Sequence, residues 1–201
     1  MVIRLGRFIG VTFVAALLWL GGAPSQAARH EEYRTYHGGE VLVAAPTMRD
    51  PRFQQTVILL VRHDASGAFG LVINRVMGKV RLSDVLRRLG LEAEKGAEEI
   101  AVHYGGPVQP GAGFALHSSE PDLPPQQPAN ERVGVSPVDR VLRAMAGGKG
   151  PRRVLFLVGY AGWAPGQLEA EMRRGDWFTA PADEDVLFDD RLDTKWNRAL
   201  D

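Results

Sequence analysis

Val154-Leu155-Phe156-Leu157-Val158-Gly159-Tyr160-Ala161-Gly162-Trp163-Ala164-Pro165-Gly166-Gln167-Leu168-Glu169 is the stretch on which the fold turns. Five consecutive apolar residues leave no polar face, which suits a strand covered on both sides at the centre of a sheet. The glycine-rich exit from Gly159 to Gly166 reads as a tight turn that delivers a helix from Gln167 to Arg174, with Leu168 and Met172 one turn apart on the same side. Outward from this unit, Val41 to Ala45, Thr56 to Val61 and Ala68 to Ile73 are further buried strands. The polar link His63-Asp64-Ala65-Ser66-Gly67 has hairpin length and makes the last two antiparallel. Ile100 to Tyr104 and Gly113 to Leu116 are strands on either side of a Gly/Pro-rich segment, and a short strand is expected at Val186-Leu187-Phe188.

Helices are expected at Ser83 to Gly90, at Thr194 to Leu200 and, most clearly, after Ser136-Pro137-Val138-Asp139. There a serine cap, a proline at the first helical position and an early acid combine. Val138, Val141, Leu142 and Met145 then give that helix one apolar face. Ser118 to Asn130, rich in Pro, Gln and acids, is a loop. Strands outnumber helices and include hairpins, so the expected fold is a single compact mixed α/β domain, α+β-like, and not a doubly wound parallel sheet.

The chain has 201 residues with 24 Lys+Arg against 24 Asp+Glu, a balance that argues against a nucleic-acid coat or a basic membrane-facing patch. Its 45% hydrophobic and 24% charged residues are ordinary globular usage. The absence of cysteine removes disulfides, thiolate zinc sites, iron–sulfur clusters and thiol nucleophiles from consideration. The amino end is set apart from the fold. Arg4 and Arg7, an apolar run from Phe8 to Gly22 and the small residues of Ser25-Gln26-Ala27 have the three-part layout of a signal peptide over residues 1–27. The run falls short of the roughly 20 apolar residues a spanning helix needs. Cleavage is expected, with no stable membrane span afterwards and a periplasmic or secreted mature protein. The alternative is a start codon placed upstream of a cytoplasmic protein. Residues 28–39 form a loosely held polar lead-in, and the folded domain occupies 40–201.

No pair of the histidines at 30, 37, 63, 103 and 117 has the spacing that sets two ligands on one helix face, so no metal site is expected. Nor is there a nucleophile elbow, a Walker loop or a zinc-protease helix, and no cofactor is expected. Gly105-Gly106-Pro107 with Gly111-Ala112-Gly113 imitates a phosphate loop but runs into a strand, so turn geometry is its expected meaning. The turn before Gln167 has two readings: free amides for an anion, or glycines that let main chains approach while Trp163 and Trp177 cover the core. Glu169 and Glu171 are expected as ordinary solvated carboxylates.

Several ordered blocks resemble those of the AlgH/YqgE family, an uncharacterised bacterial family. They are Ala45-Pro46-Thr47-Met48-Arg49-Asp50-Pro51-Arg52-Phe53, Gly67 to Arg75, Gly105-Gly106-Pro107-Val108 with Leu116-His117-Ser118, Gly159 to Trp163 through Glu169, and Asp176-Trp177 with Trp196. The resemblance implies a compact α/β domain with a bent, partly barrel-like sheet flanked by helices, usually cytoplasmic, and no established catalytic residues. Some members are labelled transcriptional regulators linked to alginate production. Two features depart from the family: Val76 stands where proline commonly follows Asn-Arg, and the leader is atypical. The expected function is a non-enzymatic binding or regulatory domain with a protein or small-molecule partner. Direct nucleic-acid binding is not expected, because the helix after Pro137 carries only Arg140 and Arg143 as cations. The competing reading is an anion- or small-molecule-binding protein, or an enzyme, that uses Asn74, His117 and Gln167 beside the glycine-rich turns.

Overall fold

A computed structural model describes residues 36–92 and 98–200; the leader and the lead-in as far as residue 35 lie outside the described residues. Ten strands follow in chain order: β1 Glu40–Ala44, β2 Val57–Asp64, β3 Gly67–Val72, β4 Val76–Arg81, β5 Glu99–Tyr104, β6 Val108–Ser118, β7 Gln127–Pro128, β8 Val133–Pro137, β9 Val154–Trp163 and β10 Trp177–Pro181. The described helices are α1 Leu82–Arg88, α2 Val138–Ala146, α3 Gln167–Arg173, α4 Glu184–Phe188 and α5 Leu192–Leu200. The strands form one curled, half-barrel sheet of mostly antiparallel pairs in the order β10-β1-β2-β3-β9-β6-β8-β7, with β5 and then β4 branching from β9. The expected mixed α/β class is what the chain adopts.

The apolar run at 154–158 is the hub of this sheet. Along one edge β9 pairs with β6. Along the other it pairs first with β5, in parallel, and then with β3. Continuous apolar runs are required wherever both sheet faces are covered. Val41, Val43, Val57, Leu59, Leu71 and Leu157 pack on one face against Leu187, Phe188 and Trp196 of α4 and α5. Leu42, Ala44, Ile58, Leu60 and Ala161 pack on the other against Leu168 and Met172 of α3. Farther along, Ala115 and Phe156 support the apolar faces of α1 and α2. Because alternate residues serve different cores, a one-residue slip of β1 or β2 would exchange every partner, and the register is held firmly.

Two glycines set how closely the strands approach. Gly106 (φ +151) and Gly159 (φ +70) face each other across the turn between β5 and β6. A Cβ on Gly106 would fall inside the Tyr160 carbonyl, and one on Gly159 inside the Gly106 carbonyl. Here the Gly-rich segment is turn and close backbone contact, as its run into a strand predicts.

Several local expectations are corrected. Residues 76–81, without an apolar period, form β4, a strand exposed at all six positions. Ser136 does not cap a helix: Ser136 and Pro137 end β8, and α2 starts at Val138 without a side-chain cap. The Ser136 hydroxyl is occupied by His117 and the Gln126 amide instead. The strand expected at Val186 to Phe188 is part of α4, since three apolar residues do not distinguish strand from buried helix. Trp177 and Phe178 enter β10, where Trp177 is buried and Phe178 is half exposed. The end of the lead-in is held: the Gly39 amide donates to the Leu60 carbonyl at 2.7 Å, and Tyr36 and His37 pack on His63.

Candidate functional site

The β1–β2 loop, the turn into β6, the end of β9 and α3 enclose a cleft of about 890 Å³. Its apolar side is an aromatic cluster that the sequence scatters over more than a hundred positions. Phe53 stacks on Trp163 at 6.5 Å between ring centres and meets Trp177 edge-on at 5.7 Å, while the two indoles meet edge-on at 6.1 Å. Both indoles are buried, so each N–H needs an acceptor. Glu171 supplies it for both: its Oε2 accepts from Trp163 Nε1 at 2.8 Å and from Trp177 Nε1 at 2.9 Å. Its Oε1 accepts from Gln167 Nε2 at 2.9 Å, and Gln167 Oε1 in turn accepts the Ala164 amide at 3.1 Å.

Paired charges form the rim. Arg52 donates two-pronged to Asp50, with Nη2 to Oδ2 at 2.6 Å, and lies over the Phe53 ring. That hydrogen-bonded guanidinium holds the Asp50 carboxyl below the usual carboxylate range. Arg174 donates from Nε and Nη2 to a single oxygen of Asp176, Oδ2, at 3.1 and 2.8 Å. Arg49 lines the cleft with no ion pair among the described residues. Among the described residues the lining contains no Ser, Cys, His, Lys or Tyr, and its one hydroxyl is that of Thr47, with no histidine or lysine beside it in the lining to act as base.

The three polar residues singled out from sequence do not converge. Gln167 lines this cleft. Asn74 lines a different recess of about 230 Å³ and holds the segment leading into β2, accepting the Val57 amide and donating to the Gln55 carbonyl, both at 2.9 Å. His117 is fully buried opposite Val154 at the start of β9, whereas Gln167 follows the end of that strand, roughly 30 Å of extended chain away. His117 Nε2 lies 2.9 Å from Ser136 Oγ, a nucleophile–base distance, but Nδ1 meets the Ser118 carbonyl and not a carboxylate, and both side chains are sealed from solvent. That pair is a core tie between β6 and β8.

Glu169 and Glu171 are not ordinary solvated acids. While Glu171 holds the indoles, Glu169 Oε1 lies 3.3 Å from the buried His63 Nε2, too poorly aligned for a hydrogen bond. The His37 amide donates to His63 Nδ1 at 3.1 Å. Two unpaired indole N–H groups near a helical glutamate were the available sequence signal for Glu171. The loop residues Arg49, Arg52 and Phe53 fall in the Ala45–Phe53 segment that resembles the family, but nothing in their spacing points to a cleft. No group of three or more His, Cys, Asp or Glu able to hold a metal occurs among the described residues.

Burial pushes the imidazoles of His63, His103 and His117 below the ordinary histidine range, outweighing nearby acids and carbonyls that favour the charged form. The unfolded chain therefore takes up protons first, starting near pH 6.5, and stability is full above that pH and falls as pH decreases through it. The denaturation midpoint should drop between pH 7.5 and 5, ahead of the carboxylate-driven loss below about pH 4. A midpoint flat from pH 7.5 to 5 would show these rings to be solvated.

A family model described as AlgH-like matches residues 41–201. A UPF0301 protein of Rhodospirillum rubrum is 39% identical over 177 residues, covering 88% of this chain and 91% of the relative. One from Methylococcus capsulatus is 44% identical over 162 residues, covering 81% and 88%. The solution structure of the AlgH protein from Pseudomonas aeruginosa is 45% identical, with a TM-score of 0.62 over 77% of this chain and 82% of that one. A crystal structure of a protein from Corynebacterium diphtheriae, 25% identical, superimposes with a TM-score of 0.63 over 80% and 83%.

Proposed function

The chain belongs to the AlgH-like family, and on that premise we propose that it is a non-enzymatic binding domain whose ligand seats in the cleft between the β1–β2 loop and α3. The observation that carries this reading is the state of the cleft's polar groups. Asp50 is engaged by Arg52, Asp176 by Arg174, and Glu171 by two indoles and Gln167, around an aromatic floor, and the one hydroxyl of the lining, Thr47, has no histidine or lysine beside it in the lining. Such a cavity is shaped in advance and offers guanidinium N–H groups at its rim, which suits a ligand with an apolar body and an anionic or carbonyl group.

Anilinonaphthalene sulfonate has both features and serves as the probe. It should bind at one saturable site, about tenfold more weakly after Phe53→Ala and about fivefold more weakly after Arg49→Glu. Binding unaffected by both substitutions, or turnover of any substrate that is lost when one polar side chain of the cleft is removed, would overturn the reading.

Regulation of the kind some family members are labelled with would then act through a bound ligand or partner protein and not through DNA. In α2, Val141 and Leu142 face the core and Arg140 and Arg143 are the only cations, too few for a groove-reading helix. Among the described residues no helix is long and apolar enough to cross a membrane. The signal-like leader supports export of the domain, with Ala28 as the first residue of the native protein. Native protein that begins at Met1 in the cytoplasm would refute export.

A further inference from the structure

Three strands lie at the outer limits of the sheet, and they are protected unequally. β7 has two residues, one of them Pro128, and β10 ends on Pro181. Short strands and prolines are the usual means of keeping an edge from pairing with another chain. β4 has neither. It runs six residues without proline, and Val76, Met77 and Val80 on it, 46%, 63% and 39% exposed, are three of the four large hydrophobic residues that stand exposed among the described residues. β5 occupies one edge of β4, and among the described residues no strand pairs with the other.

The charges on this edge have one sign. Lys79 and Arg81 alternate with Gly78 and Val80 and so share a face, and no acidic residue lies between Arg75 and Arg81. Glu99 lies across from Arg81 on β5, while Lys79 is opposite Ala101. Lys79 has no ion pair among the described residues, and the space beside Gly78 is open.

We propose that β4 is a docking edge to which an extended, acidic segment of a partner protein adds as a further strand. An open row of backbone N–H and C=O groups is complementary to another extended chain, and this selects a polypeptide occupant. Acidic residues at alternate positions of that chain meet Lys79 and Arg81, and the apolar residues between them cover Val80. Cross-strand pairs of this kind stabilise a ladder, and like charges directly opposite destabilise it. The same cations disfavour a second copy, because pairing two β4 edges sets Lys79 and Arg81 of each beside those of the other at a strand spacing of about 4.8 Å. The edge is separate from the cleft, so either assignment can fail alone.

The test uses the full chain and a capped hexapeptide of alternating glutamate and valine. The expected result is slowed hydrogen exchange at the amides of residues 76–81 and saturable binding that weakens about fivefold or more with Lys79→Glu. Two control peptides, one alternating lysine and valine and one the acidic peptide N-methylated along its backbone, should not bind. The proposal is overturned by absence of protection on β4, by equal binding of either control, or by protection that depends on protein concentration without peptide, which would make a second copy the occupant. Lys79 is exposed on an exposed strand, so Lys79→Glu should leave the denaturation midpoint within error, and lost binding cannot then be ascribed to unfolding.

Discussion

Gly106→Ala should destabilise the protein by about 2–6 kcal/mol, lowering its denaturation midpoint more than any surface substitution. Two costs add. The backbone at φ +151 is nearly closed to residues with a Cβ, which costs about 1–3 kcal/mol. The new methyl also falls within the carbonyl carbon and oxygen of Tyr160 and the amide nitrogen of Ala161, which are main-chain atoms of the central strand and cannot rotate away. Overpacking against rigid neighbours costs a further 1–3 kcal/mol or so. Gly111→Ala is the control, because no atom lies within 4 Å of its Cβ position and its φ is not positive, and its midpoint should hardly change. Equal midpoints for the two variants would mean that the β5–β6 turn does not bear on β9 as described.

Trp163→Ala should cost about 3–5 kcal/mol, for a different reason. The ring is buried among Phe53, Trp177, Leu168 and the core side of β3, and its removal leaves a cavity walled by sheet and helix that cannot collapse. The Glu171 oxygen loses one of its two indole donors at the same time. Trp163→Phe keeps most of the volume but not the N–H, and should recover more than half of the loss. A midpoint unchanged by Trp163→Ala would place the ring in solvent and dismantle the aromatic floor of the cleft.

Legibility in the sequence followed burial. β1, β2, β3 and the first half of β9 could be read from unbroken apolar runs because each is covered on both faces, the condition that produces such runs. β4 could not, because all six of its residues are exposed and its pairing is a matter of backbone alone. β8 was masked by Ser136-Pro137, which has the composition of a helix start; the serine instead ties His117 and Gln126, a partnership that only tertiary structure provides.

The site was less legible than the fold. Of the three polar residues proposed for it, Gln167 lines the cleft, Asn74 ties the ends of β2 and β3, and His117 is sealed in the core. Strand and helix periodicities report which side of an element is buried, not which distant segments meet. The cleft is assembled from the β1–β2 loop, the turn into β6 and α3, segments as far apart as Thr47 and Trp177. Glu171 shows the limit most plainly, since as Glu-x-Glu on a short helix it reads as solvent-facing until two indoles arrive above it from β9 and β10.

The most direct test of the binding cleft is a titration of isotope-labelled protein with anilinonaphthalene sulfonate, followed through backbone amide and indole N–H resonances. The indole signals of Trp163 and Trp177 and the amides of Arg49, Asp50, Arg52 and Phe53 should shift together along one saturation curve, while those of Trp196 stay in place. Shifts centred on Asn74 and Trp196, or spread over the surface without saturation, would contradict the assignment.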